Sequence, residues 1–373
     1  MSIIIFLIIL LVLVLVHEFG HFFTAKRFGI RVDEFGFGFP PKLFGFKKGE
    51  TEYSFNLLPV GGFVKIFGEN FKEADFVEVG FLDKDSAAKQ EFSRSLVSKP
   101  KYQQAIVLFA GIFANFLLAW LLFSVGFMSG LPTSVGNEPQ NYNMKDVHLV
   151  VLSVLPDSPA ENAGLKPGDR IVYVKTDNAA TSYISPETIK SFVAPGKKIE
   201  MGYLRGKDTA YNMTEVIPKN DNGKFSIGIS MDQIGTVKLP VLRAFWEGLA
   251  LDWFVAKGTV IGLYTLIAEG IMGKGSLAEV TGPVGMVGIV SSAYQFGFVY
   301  LLSFTALISV NLAIINLIPF PALDGGRLLF LLIEKIKGSR LNPRFANTAN
   351  MVGFAILIIL MLLVTYHDVI KLF

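Results

Sequence analysis

The sequence predicts a polytopic α-helical membrane protein of four spans, with a membrane-associated β-hairpin region and an inserted α+β domain. Of its 373 residues, 51% are hydrophobic and 17% are charged, a composition too apolar for an ordinary soluble protein. A span needs about 20 apolar residues to cover roughly 30 Å of hydrocarbon. Four stretches meet that requirement, residues 3–23, 105–131, 299–318 and 352–364 with its flanks.

Composition also excludes several kinds of partner and site. The formal net charge is +3, and no long run of lysine and arginine is present, so the sequence offers no surface typical of nucleic-acid binding. The chain contains no cysteine, which excludes thiolate metal ligands, disulfides and cysteine nucleophiles. We therefore expect the lipid bilayer, and no nucleic acid, as a partner.

Basic residues beside the spans predict the orientation of the chain. Such residues follow the first span, precede the second and lie between the third and fourth, and loops rich in lysine and arginine are usually cytoplasmic. The long region between the second and third spans is then outside. The predicted domains are a first membrane half (1–131), an outer domain (142–233), an interfacial helical segment (240–298) and a second membrane half (299–373).

The segment 249–270 is the ambiguous one. It is apolar enough to resemble a span, but it carries Asp252 and Lys257 within its apolar run and Glu269 near its end. Charged side chains are costly at the centre of a bilayer. We therefore predict a helix that lies in or near the membrane interface.

The motif "HEFGH" stands at the end of the first apolar stretch. His17 and His21 are four residues apart, so on a helix both imidazoles share a face and can bind one metal ion. Glu18 is turned about 100° from His17, where it can reach a water molecule without being a ligand. A pair of histidines is often structural, but ionisable residues within an apolar span are costly unless they are used. The motif therefore predicts a zinc site.

A hydrolytic zinc site usually has three protein ligands and one open position. The two remaining histidines, His148 and His367, are poorly placed, so we expect a carboxylate. Asp324 is the only acidic residue between positions 279 and 334, and it stands in "NLIPFPALDGGR" at the end of the third span. Two interpretations stay open: Asp324 is the third ligand, or it caps the following helix. Two crossings separate the histidines from Asp324, which brings all three to the cytoplasmic side.

Two glycine- and phenylalanine-rich stretches follow the first span, "EFGFGFPPKLFGF" and "TEYSFNLLPVGGFVKIFG". They alternate like strands, and Gly61 and Gly62 predict a bend or bulge. One interpretation is a set of hairpins that dip into the membrane, and the other is a small cytoplasmic sheet. The charged stretch 69–98 carries no motif and is predicted as a solvated helix or loop.

The outer domain contains "SPAENAGLKPGDRIVYV". Ser158 and Glu161 form a capping box, Pro159 occupies the first helical position and Gly164 favours a left-handed helix end. A turn and a buried strand over 171–174 follow. This pattern resembles a PDZ domain. Such a domain either binds an extended peptide by strand addition or only fills space, and both interpretations stay open.

Six blocks spread over residues 17 to about 334 carry a resemblance for the whole chain: "HEFGH", "TEYSFNLLPVGGFVKIFGE", "AGIFAN", "SPAENAGLKPGDRIVYV", "TGPVGMVGI" and "NLIPFPALDGGR". In this order they resemble the bacterial site-2 protease family, of the regulator-of-sigma-E protease type. The resemblance implies Zn²⁺ bound by His17, His21 and Asp324, with Glu18 as the general base. It also implies substrate contacts and a re-entrant β-hairpin whose edge pairs with the substrate. The implied substrate-binding residues are Asn316, Pro319, Gly61, Gly62 and Asn115.

Three features depart from the family pattern. Ile112 stands where the family has proline before the second-span asparagine, Pro40 replaces a glycine, and the chain has room for one PDZ-like domain rather than two. The first two bear on substrate positioning and the third on regulation.

The predicted function is that of an intramembrane zinc metalloprotease in the bacterial plasma (inner) membrane, with its active site near the cytoplasmic side and the PDZ-like domain outside. It would cleave transmembrane segments of proteins already cut by another protease, such as anti-sigma factors or signal-peptide remnants. Two alternatives are a catalytically inactive, membrane-tethered PDZ scaffold and a transporter. A transporter should show internal repeats, which the sequence lacks.

Overall fold

The computed structural model describes residues 2–69, 87–136, 139, 142–176, 179–206, 208–221, 224–273 and 281–370. They fall into two compact units. The first consists of Met1–Leu121, Ala250–Gly288 and Thr305–Phe373, and the second of Leu122–Leu249 and Ile289–Phe304. Of the predicted solvated stretch, residues 70–86 lie outside the described residues, and the remainder contains a short helix, α2 (Ala87–Ser93), and a 3₁₀ turn, Leu96–Ser98.

Each of the four predicted spans overlaps a long apolar helix, and two of the spans are predicted one or two residues too long at their ends. These helices are α1 (Ser2–Arg27), α3 (Lys101–Ser129), α8 (Phe298–Leu317) and α10 (Pro343–Ile370). Many of their large apolar side chains are exposed, which in a soluble protein would leave wide apolar patches open to water. Exposed apolar helices of this length fit a polytopic membrane protein.

A fifth helix, α6 (Val241–Ile271), is also long and apolar enough to cross a membrane by length and composition. The sequence predicts this segment as an interfacial helix, so the described part of the chain has five candidate spans where the sequence predicts four. Within the first unit, Thr259 of α6 donates a hydrogen bond of 2.7 Å to the amide oxygen of Asn311 on α8. Asp252 is buried, and its Oδ1 has no hydrogen-bond partner in the described chain.

Two shorter helices flank α8 in sequence, α7 (Pro283–Phe296) and α9 (Asp324–Lys337). A capping contact fixes α7, because Asp368 near the end of α10 accepts a hydrogen bond of 2.8 Å from the backbone N–H of Gly285. The end of α9 is set by Gly338, which adopts the left-handed conformation with φ +74° that glycine favours at this position.

The phenylalanine-rich region forms a twisted sheet from two long strands, β1 (Val32–Lys48) and β2 (Thr51–Ile66). Residues 32–39 lie between residues 51–58 on one side and 62–66 on the other, and residues 42–48 pair with the outer side of 51–56. The strand β2 therefore folds back between residues 58 and 62, where the sequence predicts a bend at Gly61 and Gly62. Six apolar side chains of the sheet are exposed, Phe39, Leu43, Phe44, Phe46, Leu57 and Leu58, which favours hairpins in contact with lipid over a cytoplasmic sheet.

The second unit contains the inserted α+β domain. Its main sheet has the strand order β3, β11, β4, β5, β7, β8, with β6 paired to β5 and with β9 and β10 as a separate hairpin. The strands are β3 (Leu131–Ser134), β4 (Lys145–Val154), β5 (Arg170–Thr176), β6 (Ala179–Thr181), β7 (Ile199–Leu204), β8 (Asn212–Val216), β9 (Lys219–Asp221), β10 (Lys224–Ser226) and β11 (Ile229–Val237). Two helices, α4 (Pro159–Asn162) and α5 (Pro186–Phe192), accompany the sheet. Its core is aliphatic and includes Leu149, Val151, Ile171, Val174, Ile199 and Met201.

The capping box predicted for this domain forms in part, because Glu161 reaches the residue before the cap and not the N–H of Ser158 itself. Ser158 Oγ accepts a hydrogen bond of 3.2 Å from the backbone N–H of Glu161, and the Glu161 carboxylate accepts one of 2.7 Å from the N–H of Asp157. Gly164 has φ +80°, as predicted for the helix end. The assignment of the whole domain as PDZ-like stays a prediction.

Candidate active site

The helix α1 places the two predicted histidines on one buried face. His17 and His21 are both buried, because that face of α1 packs closely against α3. At the crossing, a Cβ added to Gly20 would lie 2.3 Å from the carbonyl oxygen of Ala110, so only glycine allows this approach. Gly20, the fourth residue of "HEFGH", therefore lets the histidines lie against α3.

Asp324 meets both histidines, although it is more than 300 residues away in sequence. The Asp324 Oδ2 atom lies 2.9 Å from His17 Nε2 and 3.2 Å from His21 Nε2, and the two Nε2 atoms are 3.1 Å apart. Ligands of a tetrahedral zinc ion, at about 2.0–2.1 Å from the metal, are separated by about 3.3 Å. The three atoms thus form a triangle of almost the size that zinc requires.

A tightly packed turn delivers Asp324 to this position. A Cβ on Gly325 would lie 2.3 Å from the carbonyl oxygens of residues 317 and 318, and one on Gly326 would lie 2.2 Å from that of Phe320. Ala322 has φ +77°, and its N–H donates a hydrogen bond of 3.1 Å to the side chain of Asn350 on α10. The two glycines of "LDGG" therefore let α9 start directly against the end of α8.

The alternative that Asp324 only caps α9 is not what the structure shows. The N-cap residue of α9 is Leu323, which makes no side-chain cap hydrogen bond, while the Asp324 carboxylate faces the histidines. Burial acts to raise the pKa of the Asp324 carboxyl, but hydrogen bonds from His17 and His21 outweigh it and hold the pKa below its usual range. The carboxyl is therefore ionised, as a metal ligand must be.

Both imidazoles are oriented by contacts at Nδ1, which leaves Nε2 for a metal. His21 Nδ1 lies 2.8 Å from the carbonyl oxygen of Val107. The Nδ2 atom of Asn115 lies 3.3 Å from His17 Nδ1, whereas its buried Oδ1 has no partner among the described residues. Exchange of the two similar amide atoms would let Oδ1 accept a hydrogen bond from the Nδ1–H of His17. A histidine that binds metal through Nε2 needs such an acceptor, so this orphaned oxygen fits a metal site.

A cavity of about 420 Å³ opens beside the His17–His21–Asp324 cluster. Its walls come from α1, from β2, from the end of α8 and from the start of α9. The polar lining residues are His17, Glu18, His21, Glu69, Asn316, Asp324 and Arg327. The carboxylate of Glu18 accepts a hydrogen bond from the backbone N–H of Val64, which ties the predicted general base to the strand nearest the cluster.

The predicted substrate-binding residues divide into two groups. Asn316 and Gly62 line the cavity, whereas Gly61, Pro319 and Asn115 do not. Gly61 packs on the ring of Phe39, and the side chain of Asn115 contacts Nδ1 of His17. The predicted substrate contact of Asn115 stays a prediction.

Sequence reasoning missed two residues of the site, Gly111 and Arg327. A Cβ on Gly111 would lie 2.3 Å from His21 Nε2, so this glycine of "AGIFAN" makes room for the imidazole. The available signal was a glycine within an apolar helix, which marks a close approach. Arg327 lines the cavity, and its signal was a cation one helical turn after Asp324.

The variant Gly111→Ala is expected to displace the His21 ring and to lower zinc affinity by at least about tenfold, the range seen when groups that orient metal ligands are removed. Gly258→Ala is the matched control, because a Cβ there meets nothing within 4 Å. Zinc content and cleavage are measured for both purified proteins. Full zinc occupancy with normal cleavage in Gly111→Ala would contradict the close packing of His21 on α3.

Two histidines one helical turn apart, a distant carboxylate and a glutamate beside the first histidine define the class of zinc metallopeptidases, here on apolar helices. Comparison with known proteins gives the family. The chain belongs to peptidase family M50, whose model matches residues 5–360, and it is a zinc metalloprotease of the site-2 protease type.

Similar proteins cover nearly the whole chain. Zinc metalloprotease RasP of Geobacillus kaustophilus is 30% identical over 440 aligned residues, which cover 100% of this chain and 98% of that protein. Zinc metalloprotease RasP of Oceanobacillus iheyensis is 29% identical, and the alignment covers 100% of this chain and 99% of that protein. A protein of Clostridium perfringens, whose name also contains the words zinc metalloprotease, is 35% identical over 359 residues, 96% of this chain and 95% of its own length.

Proposed function

We propose that this metalloprotease hydrolyses peptide bonds within the transmembrane segments of membrane proteins. The observation that carries the proposal is the position of the site. His17 and His21 lie within α1, an apolar helix long enough to cross a membrane, and their ring atoms meet Asp324 beside a cavity. A protease of soluble loops would have no need to keep ionisable side chains in such a helix.

His17, His21 and Asp324 would hold the metal, and Glu18 would act as the general base. A bound zinc ion supplies Lewis-acid polarisation of the scissile carbonyl and acidifies the attacking water. Glu18 then takes the proton of that water and delivers it to the leaving amine. Val64, whose N–H donates to the Glu18 carboxylate, keeps the base beside the cavity, and Asn115 orients the ring of His17.

The substrate must unwind locally before it can be cut, since a transmembrane helix hides its amides in its own hydrogen bonds. Residues 62–66, here called the edge strand, offer a compensation. They pair on one side with 32–37, no second strand pairs with them in the described chain, and they line the cavity. We propose that unwound substrate adds to the edge strand and that Asn316 binds its backbone. Gly62 would allow close approach of the substrate.

The proposed location is the bacterial plasma (inner) membrane, with the site near the cytoplasmic side and the PDZ-like domain outside. Basic residues beside the predicted spans support this orientation. A topology of four spans, with residues 240–298 at the interface, brings His17, His21 and Asp324 to the same side, and these side chains do meet. We further propose that another protease cuts the substrates first.

The two alternative functions, an inactive PDZ scaffold and a transporter, both have less support than proteolysis. An inactive PDZ scaffold would have no reason to retain the base and all three candidate ligands, and family M50 is a peptidase family.

The proposed role of the PDZ-like domain is to recognise or to exclude substrates by their outer part.

The test is cleavage in reconstituted liposomes of a model protein with one transmembrane helix. We expect the cleavage site, located from the masses of the products, to fall within the apolar segment. Chelation should abolish the cut and added zinc should restore it. A matched substrate has the same flanks with its helix replaced by a soluble linker, and it should resist cleavage. Cuts confined to the flanks, or equal cleavage of the linker substrate, would contradict the proposal.

A further inference from the structure

The guanidinium of Arg327 lies at the active-site cavity but has no role among the groups that hold the metal or act as the base. Arg327 follows Asp324 by three residues on α9, so both side chains share a face of that helix. Both line the cavity that also contains Glu18 and the histidines. Glu18 and Arg327 are close enough for their charges to interact.

Glu69 holds Arg327 in this position. The two side chains form an ion pair between Arg327 Nη1 and Glu69 Oε1, and Glu69 lies three residues after the end of the edge strand. The Arg327 side chain retains 33% accessibility, and that accessible part faces cavities, since Arg327 lines both the active-site cavity and a second cavity of about 610 Å³. A guanidinium has five N–H donors, so one ion pair leaves donors free.

The cavity has few groups that could stabilise a negatively charged oxygen. Among its described lining residues, the side-chain N–H donors other than the two histidines belong to Asn316 and Arg327. Asn316 is already proposed to bind the substrate backbone. Peptide hydrolysis places negative charge on the scissile carbonyl oxygen, and a fixed donor aimed at that oxygen is usually one of the largest catalytic contributions.

We propose that Arg327 is a catalytic residue whose guanidinium, oriented by Glu69, donates hydrogen bonds to the scissile carbonyl oxygen as negative charge develops there. This inference rests on the proposed active site. Arg327 acts on charge that appears only during the reaction, so it contributes mainly to kcat and little to substrate binding.

The experiment compares Arg327→Gln, Arg327→Lys and Glu69→Gln with Arg340→Gln as the matched control. Arg340 lines the second cavity but not the active-site cavity. Zinc content, kcat and KM are measured for each full-length protein in liposomes. We expect Arg327→Gln to keep its zinc and to lose about 10²-fold in kcat, the usual effect of removing one such donor, with KM nearly unchanged. Arg327→Lys keeps the positive charge, so its kcat should be at least about tenfold higher than that of Arg327→Gln. Glu69→Gln should lose less kcat than Arg327→Gln.

Two readouts distinguish this role from a structural ion pair. In a Glu18→Gln background, intact substrate should bind equally well with and without Arg327→Lys. A phosphinic peptide, whose tetrahedral anion resembles the charged oxygen, should bind Arg327→Lys at least about tenfold more weakly than it binds the parent. The inference is overturned if Arg327→Gln retains normal kcat, or if Glu69→Gln loses as much as Arg327→Gln without recovery in Arg327→Lys. Normal cleavage by Arg340→Gln would show that the proposed function itself holds.

Discussion

Replacement of Glu18 by glutamine is expected to leave zinc bound and to reduce cleavage of a transmembrane substrate by at least about 10²-fold, since general base catalysis contributes about 10²–10⁴-fold. Glutamine keeps the size of the side chain and its helix propensity. It can still accept a hydrogen bond from Val64, but it cannot take a proton from water. The loss should therefore appear in turnover and not in metal content.

The measurement is single-turnover cleavage together with zinc analysis of the same preparation. Glu269→Gln provides the control, because it makes the same exchange on α6 away from the lining of the active-site cavity. If Glu18→Gln turns over substrate about as fast as Glu269→Gln, Glu18 is not the general base. That result would say nothing about the metal ligands.

Replacement of Asp324 by asparagine should have a different signature, with zinc and activity lost together. A neutral amide is a weak zinc ligand, and the variant would leave His17 and His21 as a two-ligand site. The packing of Gly325 and Gly326 against the end of α8 does not involve the carboxylate, so the fold should persist. Helical content and thermal unfolding in detergent check that expectation.

Asp252→Asn is the matched control for this variant. Asp252 is also a buried aspartate on an apolar helix, but it does not line the active-site cavity, so its replacement should leave zinc content unchanged. If Asp324→Asn binds zinc fully and cleaves normally, Asp324 is not the third ligand, and a different carboxylate must be sought.

Local features of the site could be predicted from the sequence, because they depend on spacings of three or four residues. The pairing of His17 and His21 on one helix face follows from helical geometry alone. The same holds for the capping box of Ser158 and Glu161. The four predicted spans follow from apolar length, since a bilayer accepts few other structures of that composition.

Where composition is intermediate, apolar length alone does not separate a span from an interfacial helix. The segment containing Asp252 and Lys257 has charges that argue for the interface, yet it forms part of a helix of 31 residues that is long and apolar enough to cross. Charge counts do not distinguish these cases, because a buried aspartate such as Asp252 can be tolerated inside a helical bundle.

The sequence by itself was enough to predict the chemistry of this protein, namely two histidines on one helix face, an adjacent glutamate as base and a carboxylate as third ligand, because these follow from short spacings and from which residue types are present. Tertiary structure decided which groups surround that chemistry. Asn115 came to the ring of His17, Gly111 made room for His21, and Arg327 entered the cavity. The first two depend on how closely α1 and α3 approach each other, and the third on where α9 begins beside the cavity. Such distances are set by packing between segments far apart in the chain, which local periodicity does not encode.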